Sequence, residues 1–522
     1  MLKRYAASLL IPALLLLAAS SGIDAQAPQT ATPKAPAVQA PAKPVTLPAA
    51  RGPRPDQFTF RPLVFNPPKL AAFRATLANG LVVYIGEDHQ IPWINASLMV
   101  RTGPFLESRD KLGVAGMTSS VARSGGTTTM TGEQITERMD FLAGNVSANN
   151  LSIHARHVDE GIKIWMDILT NPAFPEDKLR RDRDQALVGI RNRNRNQGLV
   201  ATRTWTKLLY GEDSPMAAEA TEAGTSGITR DDLAAWHKKY WGANNAILVI
   251  SGDFVRAEML QKLEASFGKW ATADLAVPPI PKVEQASKAG VYMVQPQVPT
   301  NQSIIQIGHV GLMQDDPDYQ AVDLMNYTLG GGSFSSRITK VVRTDNGLAY
   351  STSSSFSGGM LYPGTFSAFC QTKNATVVFA SQLMLDLIEG MRSGDVTQAD
   401  LDFAKTARVE AFPATFSEMR QTLSNFAQLE YNNRPRDYYD TLRAKYEKVT
   451  LADIKRVARK WLQPDKMVLM IAGNIDEAKA GADKMLPNQA TIDAMAAKFG
   501  GRTIDGLAKK YGVGTVQIVT LK

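Results

Sequence analysis

The chain has 522 residues, 44% apolar and 21% charged, which is ample for two to four hydrophobic cores and excludes a disordered polymer. Its net charge of +8 gathers early, with +1 in residues 1–25, +4 in 26–68 and only +3 in the remainder. A single cysteine, Cys370, excludes an intrachain disulfide, so stability must come from packing.

Residues 1–25 combine Lys3 and Arg4, an apolar run from Leu9 to Ala19 and small residues ending at Ala25, the three-part form of a secretory signal. The run is short for a membrane span, so cleavage after Ala25 and a periplasmic location are the expectation; an uncleaved anchor is the alternative. Residues 26–68 are rich in Ala and Pro and read as an extended tether. Its basic residues would suit an anionic envelope surface, but a soluble spacer is the favoured reading.

The body is expected to divide into halves at 69–280 and 281–522. Residues 229–254 (TRDDLAAWHKKYWGANNAILVISGDF) align without a gap with 450–475 (TLADIKRVARKWLQPDKMVLMIAGNI). Each copy predicts a helix capped by a Thr (Thr229, Thr450), a short turn, and an apolar strand closed by Gly252 or Gly473. The first half opens with a predicted strand pair at 81–86 and 94–101. Helices near 112–124 and 132–143, a strand near 146–155, and helices from about 159, 176, 201 and 229 follow. The second half repeats the order, with strands near 290–296, 302–309, 348–356 and 363–372, helices from 316 and 335, and several later helices. Early strands and late helices predict an α+β fold: two homologous α/β-sandwich halves, each a mostly antiparallel sheet under helices, arranged as a clamshell. The tail contains two short helical patterns and an apolar segment, VQIVTLK, suited to a sheet edge or a partner surface.

Basic stretches at 180–184 and 191–196 lack interleaved aromatics and read as a solvated helix face, not a nucleic-acid site. No G-x-S-x-G elbow, phosphate loop or dinucleotide fingerprint is present. Cys370 reads as a small buried hydrophobe. His154 and His157, spaced by three on a predicted strand, would point to opposite faces; His237 reads as a surface or capping residue, and His309 has no partner visible in the sequence.

Three segments carry a resemblance. FRATLANGLVVYIGED at 73–88, DILTNPAFPEDKLRRDRDQALVGI at 167–190 and LGGGSFSSRITKVVRTDNGLAYSTSS at 329–354 make residues 70–475 resemble the M16 peptidases, the insulinase and pitrilysin family of zinc proteases. The resemblance implies a duplicated fold, a zinc held by two His and a Glu, and an Arg/Tyr pair reaching the substrate carbonyl. Here the segment that would read H-x-x-E-H is LGVAGMTSSVARSGG at 112–126: the first His falls on Gly116, the Glu on Ser119, the second His on Ser120, and the third ligand on Gly189. None of these can ligate zinc or take a proton from a bound water. Arg343 and Tyr350 match the retained pair; the structural alternatives are a helix C-terminal cap and a Tyr packed in the sheet. Gly330, Gly331 and Gly332 are read either as a substrate-binding loop or as a tight turn needing positive φ.

By this resemblance the chain is expected to be the non-zinc subunit of an exported heterodimeric metallopeptidase, inactive alone. It would bind peptides beside a partner that bears H-x-x-E-H and the zinc. A non-catalytic peptide-binding or scaffold protein of the cell envelope is the alternative; an autonomous zinc peptidase is disfavoured by the missing ligands.

Overall fold

A strand apolar on both faces belongs in the middle of a sheet, and that preference orders both halves of this molecule. The computed structural model describes residues 65–275, 282–480, 503–511 and 516–521. The signal segment, nearly all of the tether, the joint at 276–281 and the first tail helix lie outside the described residues.

The first half contains β1 (Arg74–Thr76), β2 (Val82–Glu87), β3 (Trp93–Val100), α1 (Val114–Ser124), α2 (Gly132–Phe141), β4 (Asn145–Val146), β5 (Asn150–His154) and α3 (Val158–Thr170). It continues with α4 (Glu176–Asn192), α5 (Gln197–Tyr210), α6 (Glu222–Ser226), α7 (Arg230–Tyr240), β6 (Ala246–Gly252) and α8 (Arg256–Ser266). Its sheet runs β1-β2-β6-β3-β5-β4, antiparallel except where β2 and β6 run parallel. The expected β2–β3 pair does not form. β6, buried along its whole length, lies between them because both of its faces are apolar. The single strand expected near 146–155 is instead a hairpin, turned at Ser147 by an Asn150 carbonyl.

The second half contains β7 (Gly290–Val294), β8 (Gln302–Val310), α9 (Tyr319–Asn326), β9 (Ala349–Phe356), β10 (Thr365–Lys373), α10 (Val377–Ser393), α11 (Gln398–Ala411) and α12 (Met419–Tyr431). After α13 (Tyr438–Lys448) come α14 (Leu451–Trp461), β11 (Val468–Ala472), α15 (Ile475–Ala480), α16 (Ile504–Tyr511) and β12 (Val516–Ile518). The sheet order is β12-β7-β11-β8-β10-β9, with β11 inserted between β7 and β8 as β6 is between β2 and β3. The repeat is therefore structural. Thr229 and Thr450 both accept from the backbone three residues on, and Asp232 and Asp453 return the bond to complete matching capping boxes. The tail strand takes the sheet-edge role, pairing parallel with β7.

The halves exchange helices. α5 leaves the first half to cover Tyr292, Val294, Ile304, Val468 and Met470 on the second sheet. α12 returns the exchange, placing Leu423 and Phe426 against Tyr84, Ile247 and Val249 of the first sheet. Each such fully buried side chain contributes roughly 1.5–3 kcal/mol. Gly86 suits the approach, because a Cβ there would displace the Met419 side chain of α12. Polar contacts fix the register: Gln197 donates to the Ala472 carbonyl at 2.9 Å, and Arg74 of β1 forks onto Glu430 of α12 at 2.7 and 2.8 Å.

Candidate functional site

Arg343 and Tyr350 are brought together by two local irregularities. After Ile338 the helix widens to π spacing over Thr339–Asp345, a rare geometry that concentrates at functional sites. Gly347, at φ 62°, then ends it. In the next strand Ser351 pairs with Gln371 but Ala349 pairs with Thr372, so Tyr350 is the extra residue of a β-bulge. The bulge turns Tyr350 out of the sheet, leaving it 83% exposed. The Arg343 guanidinium lies 4.5 Å from the centroid of the Tyr350 ring and 4.5 Å from that of Phe334, which is 64% exposed.

Neither residue does the structural job open to it. The last carbonyls of the helix are met without the Arg343 side chain: Gly347 N donates to Arg343 O, Leu348 N to Val342 O, and the Asn346 amide to Val341 O. Tyr350 packs into no core. The nearby Asp345 carboxylate is held by Lys340 at 2.7 Å, whereas Arg337, six residues upstream of Arg343, is paired with Asp395 and Asp400. Arg343 has no ion pair among the described residues.

The glycine run does something other than the positive-φ turn considered from sequence. Tyr327–Gly331 form a second π turn, and the left-handed residue is Ser333 at φ 53°. Gly330 is needed for close approach, since a Cβ would strike the Ser354 nitrogen and hydroxyl on β9. Gly332 backs onto Tyr327, leaving Gly331 as the exposed member. The Asn326 amide donates to Ser354 O at 3.1 Å and the Thr339 hydroxyl to Thr352 O at 3.3 Å, closing part of the outer edge of β9. The loop thus presses two helical turns onto β9 and puts Phe334 over Arg343. Sequence reasoning missed Phe334; an aromatic set next to a glycine run and nine residues before the Arg was the available signal.

The zinc positions of the first half lie on α1 and α4, which pack together. The Glu107 carboxylate caps α1, accepting from Gly113 N at 3.0 Å and Ala115 N at 2.7 Å. Gly116, Ser120 and Gly189 are exposed, and open space surrounds a Cβ built at either glycine. Ser119 donates to Asn149 Oδ1 at 2.9 Å, and Asn149 in turn donates to Leu98 O of β3. Two glycines, an exposed hydroxyl and a committed hydroxyl do not fit a zinc ion. Among the described residues no group of three or more His, Cys, Asp or Glu side chains could hold a metal.

The histidines correct one expectation. His154 ends β5, but His157 lies in a 3-10 turn, so the rings meet edge to face at 6.2 Å instead of pointing apart. Arg156 donates to His157, occupying one ring nitrogen. His237 is packed between Phe174 and Trp241, and its Nε2 donates to Leu169 O at the end of α3, a capping role. Burial lowers its pKa, partly offset by that carbonyl. His309 is fully buried; its Nδ1–H donates to Val310 O and its Nε2 accepts from Gln463 N. Burial lowers its pKa to about 4. Burial likewise raises the Cys370 thiol to about 12, as suits an inert core residue.

Comparison with known proteins places this geometry. Residues 227–408 match the model described as the Peptidase M16 inactive domain. The non-peptidase homolog YmxG of Helicobacter pylori is 23% identical over 402 residues, covering 74% of this chain and 90% of that protein. A Bacillus subtilis protein named uncharacterized zinc protease YmxG is 23% identical over 321 residues, covering 58% and 76%. Among solved structures, a peptidase M16 inactive domain from Pseudomonas fluorescens superposes with a TM-score of 0.67 at 24% identity, covering 77% of this chain and 97% of that one. The two-half α+β fold is shared with it.

Proposed function

From the premise that the chain belongs to the M16 peptidase family and carries its inactive domain, we propose that it is the non-zinc subunit of an exported heterodimeric metallopeptidase. In this reading it works in the periplasm, binds no metal itself, and closes over peptides beside a homologous subunit that supplies H-x-x-E-H and zinc. Arg343 and Tyr350 donate hydrogen bonds to the scissile carbonyl and stabilise the negative charge that grows there as water attacks. The glycine run at 330–332 sets the distance between those donors and the bound peptide. Alone, the chain leaves peptides intact.

One observation carries the proposal: a half-buried Arg and an exposed Tyr are held together, without an ion pair or a place in a core among the described residues, while the matching zinc positions are two glycines and two serines. Charge stabilisation without a nucleophile is half of a hydrolytic site, and the other half must come from a second chain.

The test is affinity capture of the tagged full chain from its source's envelope extract, with mass spectrometry and zinc analysis of the eluate. A near-equimolar homologue bearing H-x-x-E-H, arriving with zinc, is the expected result. Recovery of the chain alone and metal-free would overturn the heterodimer and leave the peptide-binding or scaffold reading.

A further inference from the structure

We propose that Phe334, Arg343 and Tyr350 form a clamp for a peptide carboxylate, either the C-terminal carboxylate or that of an Asp or Glu side chain. The proposal rests on the reading of Arg343 and Tyr350 as peptide contacts, and it names the chemistry they select before any bond is cut.

The guanidinium is flanked by two exposed rings, each with its centroid 4.5 Å away. Aromatic faces attract the cation and shield it in part from water, but they take none of its N–H groups. Those donors remain available, and a carboxylate meets two of them with parallel hydrogen bonds while leaving others free for a scissile carbonyl. Among the described residues no carboxylate is paired with Arg343. Asp345 is tied to Lys340, and the helix end beside Arg343 is already satisfied by Gly347, Leu348 and Asn346.

The rings are placed by the fold, not by chance exposure. Phe334 follows Ser333, a non-glycine residue held at φ 53°, and Tyr350 is expelled from β9 by its bulge. Backbone in the left-handed region costs of order 1 kcal/mol for such a residue and persists where its surroundings require it. Two independent local distortions therefore converge on one arginine. The Tyr350 ring, 4.5 Å from the guanidinium, carries a hydroxyl as a further donor. Phe334 acts through Arg343, as a positioning residue.

The experiment uses the full chain and three fluorescent peptides sharing one neutral core sequence, followed by anisotropy. The first has a free C-terminus and no acidic residue; the second is C-amidated and neutral; the third is C-amidated with one internal Glu. The neutral amide is expected to bind about tenfold more weakly than at least one of the other two, as the loss of a charge-assisted pair requires. Tight binding of the first peptide assigns the clamp to C-termini, and of the third to acidic side chains. Arg343→Gln should remove the discrimination. Phe334→Ala should reduce it, and Phe334→Tyr should retain it. Equal binding by all three peptides, no binding by any, or discrimination that survives Arg343→Gln overturns the clamp. These readouts need no partner subunit, so the clamp and the heterodimer can fail separately.

Discussion

Replacing Glu430 with Gln tests whether the helix exchange is locked by one carboxylate. Glu430 sits on α12, in the second half, yet its oxygens take Arg74 Nε at 2.7 Å, Arg74 NH2 at 2.8 Å and the Tyr84 hydroxyl at 2.7 Å, both partners belonging to the first half. Its side chain is 17% exposed and the Tyr84 side chain is fully buried. The Arg74 fork holds the Glu430 carboxyl at about 2, against an ordinary 4.5, although burial opposes the shift. A displacement of that size corresponds to about 3 kcal/mol of native stability at neutral pH. Glu430→Gln preserves shape but turns an amide N–H toward Arg74 or Tyr84, so a loss of about 2–3 kcal/mol is expected in urea unfolding at pH 7. The sign with pH is fixed by the depressed pKa. The wild-type advantage is whole above pH 4.5 and shrinks as pH falls toward 2, because the unfolded carboxyl protonates first. A difference below about 0.5 kcal/mol at pH 7, or one that does not decline in acid, would refute the lock.

Asp318, buried before α9, accepts from Arg456 at 2.8 Å, Lys460 at 2.7 Å and Trp461 at 3.1 Å; although burial opposes it, these donors hold its carboxyl far below the usual range. Asp318→Asn should cost about 2–4 kcal/mol in the same unfolding assay by releasing α14 from the loop before α9. Gly330→Val should destabilise by about 2–3 kcal/mol, since the new side chain meets backbone on β9, whereas Gly189→Ala, in open space on α4, should add about 0.5–1 kcal/mol; thermal melts order the three proteins. With His309 depressed to about 4, the unfolded chain takes up the proton first, so native stability should fall by about 3 kcal/mol between pH 6.5 and pH 4. Unfolding midpoints of the wild type and His309→Gln should converge over that window.

What the sequence made legible was local and periodic. The Thr-capped helix, turn and apolar strand of the repeat could be read because capping boxes and unbroken apolar runs are short-range signals. Strand order could not: the insertion of β6 and β11 into the middle of their sheets depends on which strand has two apolar faces to bury, and that becomes visible only when all six compete. The exchange of α5 and α12 was equally hidden. Both are ordinary amphipathic helices, and nothing in their pattern says which sheet they cover. At the site, the spacing of Arg343 and Tyr350 was readable, but Phe334 is set by a left-handed Ser333 and Tyr350 is turned out by a one-residue register shift. Neither leaves a mark in composition or period.

The two halves treat their site residues differently, and that asymmetry bears on what kind of protein this is. In the first half, Ser119 has become a structural residue, bridging α1 through Asn149 to the Leu98 carbonyl of β3, and the remaining positions are bare helix surface. In the second half the opposite holds. Arg337, Arg408 and Arg456 are all bound to carboxylates, while Arg343 is kept free of them and its helix end is closed by other groups. A fold kept only for its shape would gain by giving Arg343 a carboxylate partner and by returning Tyr350 to the ladder of β9. Instead the bulge stands, and the cation lies against two exposed aromatics. Their combination leaves the Arg343 donors without a carboxylate among the described residues, which is the property the proposed non-zinc subunit would need and a passive scaffold would not.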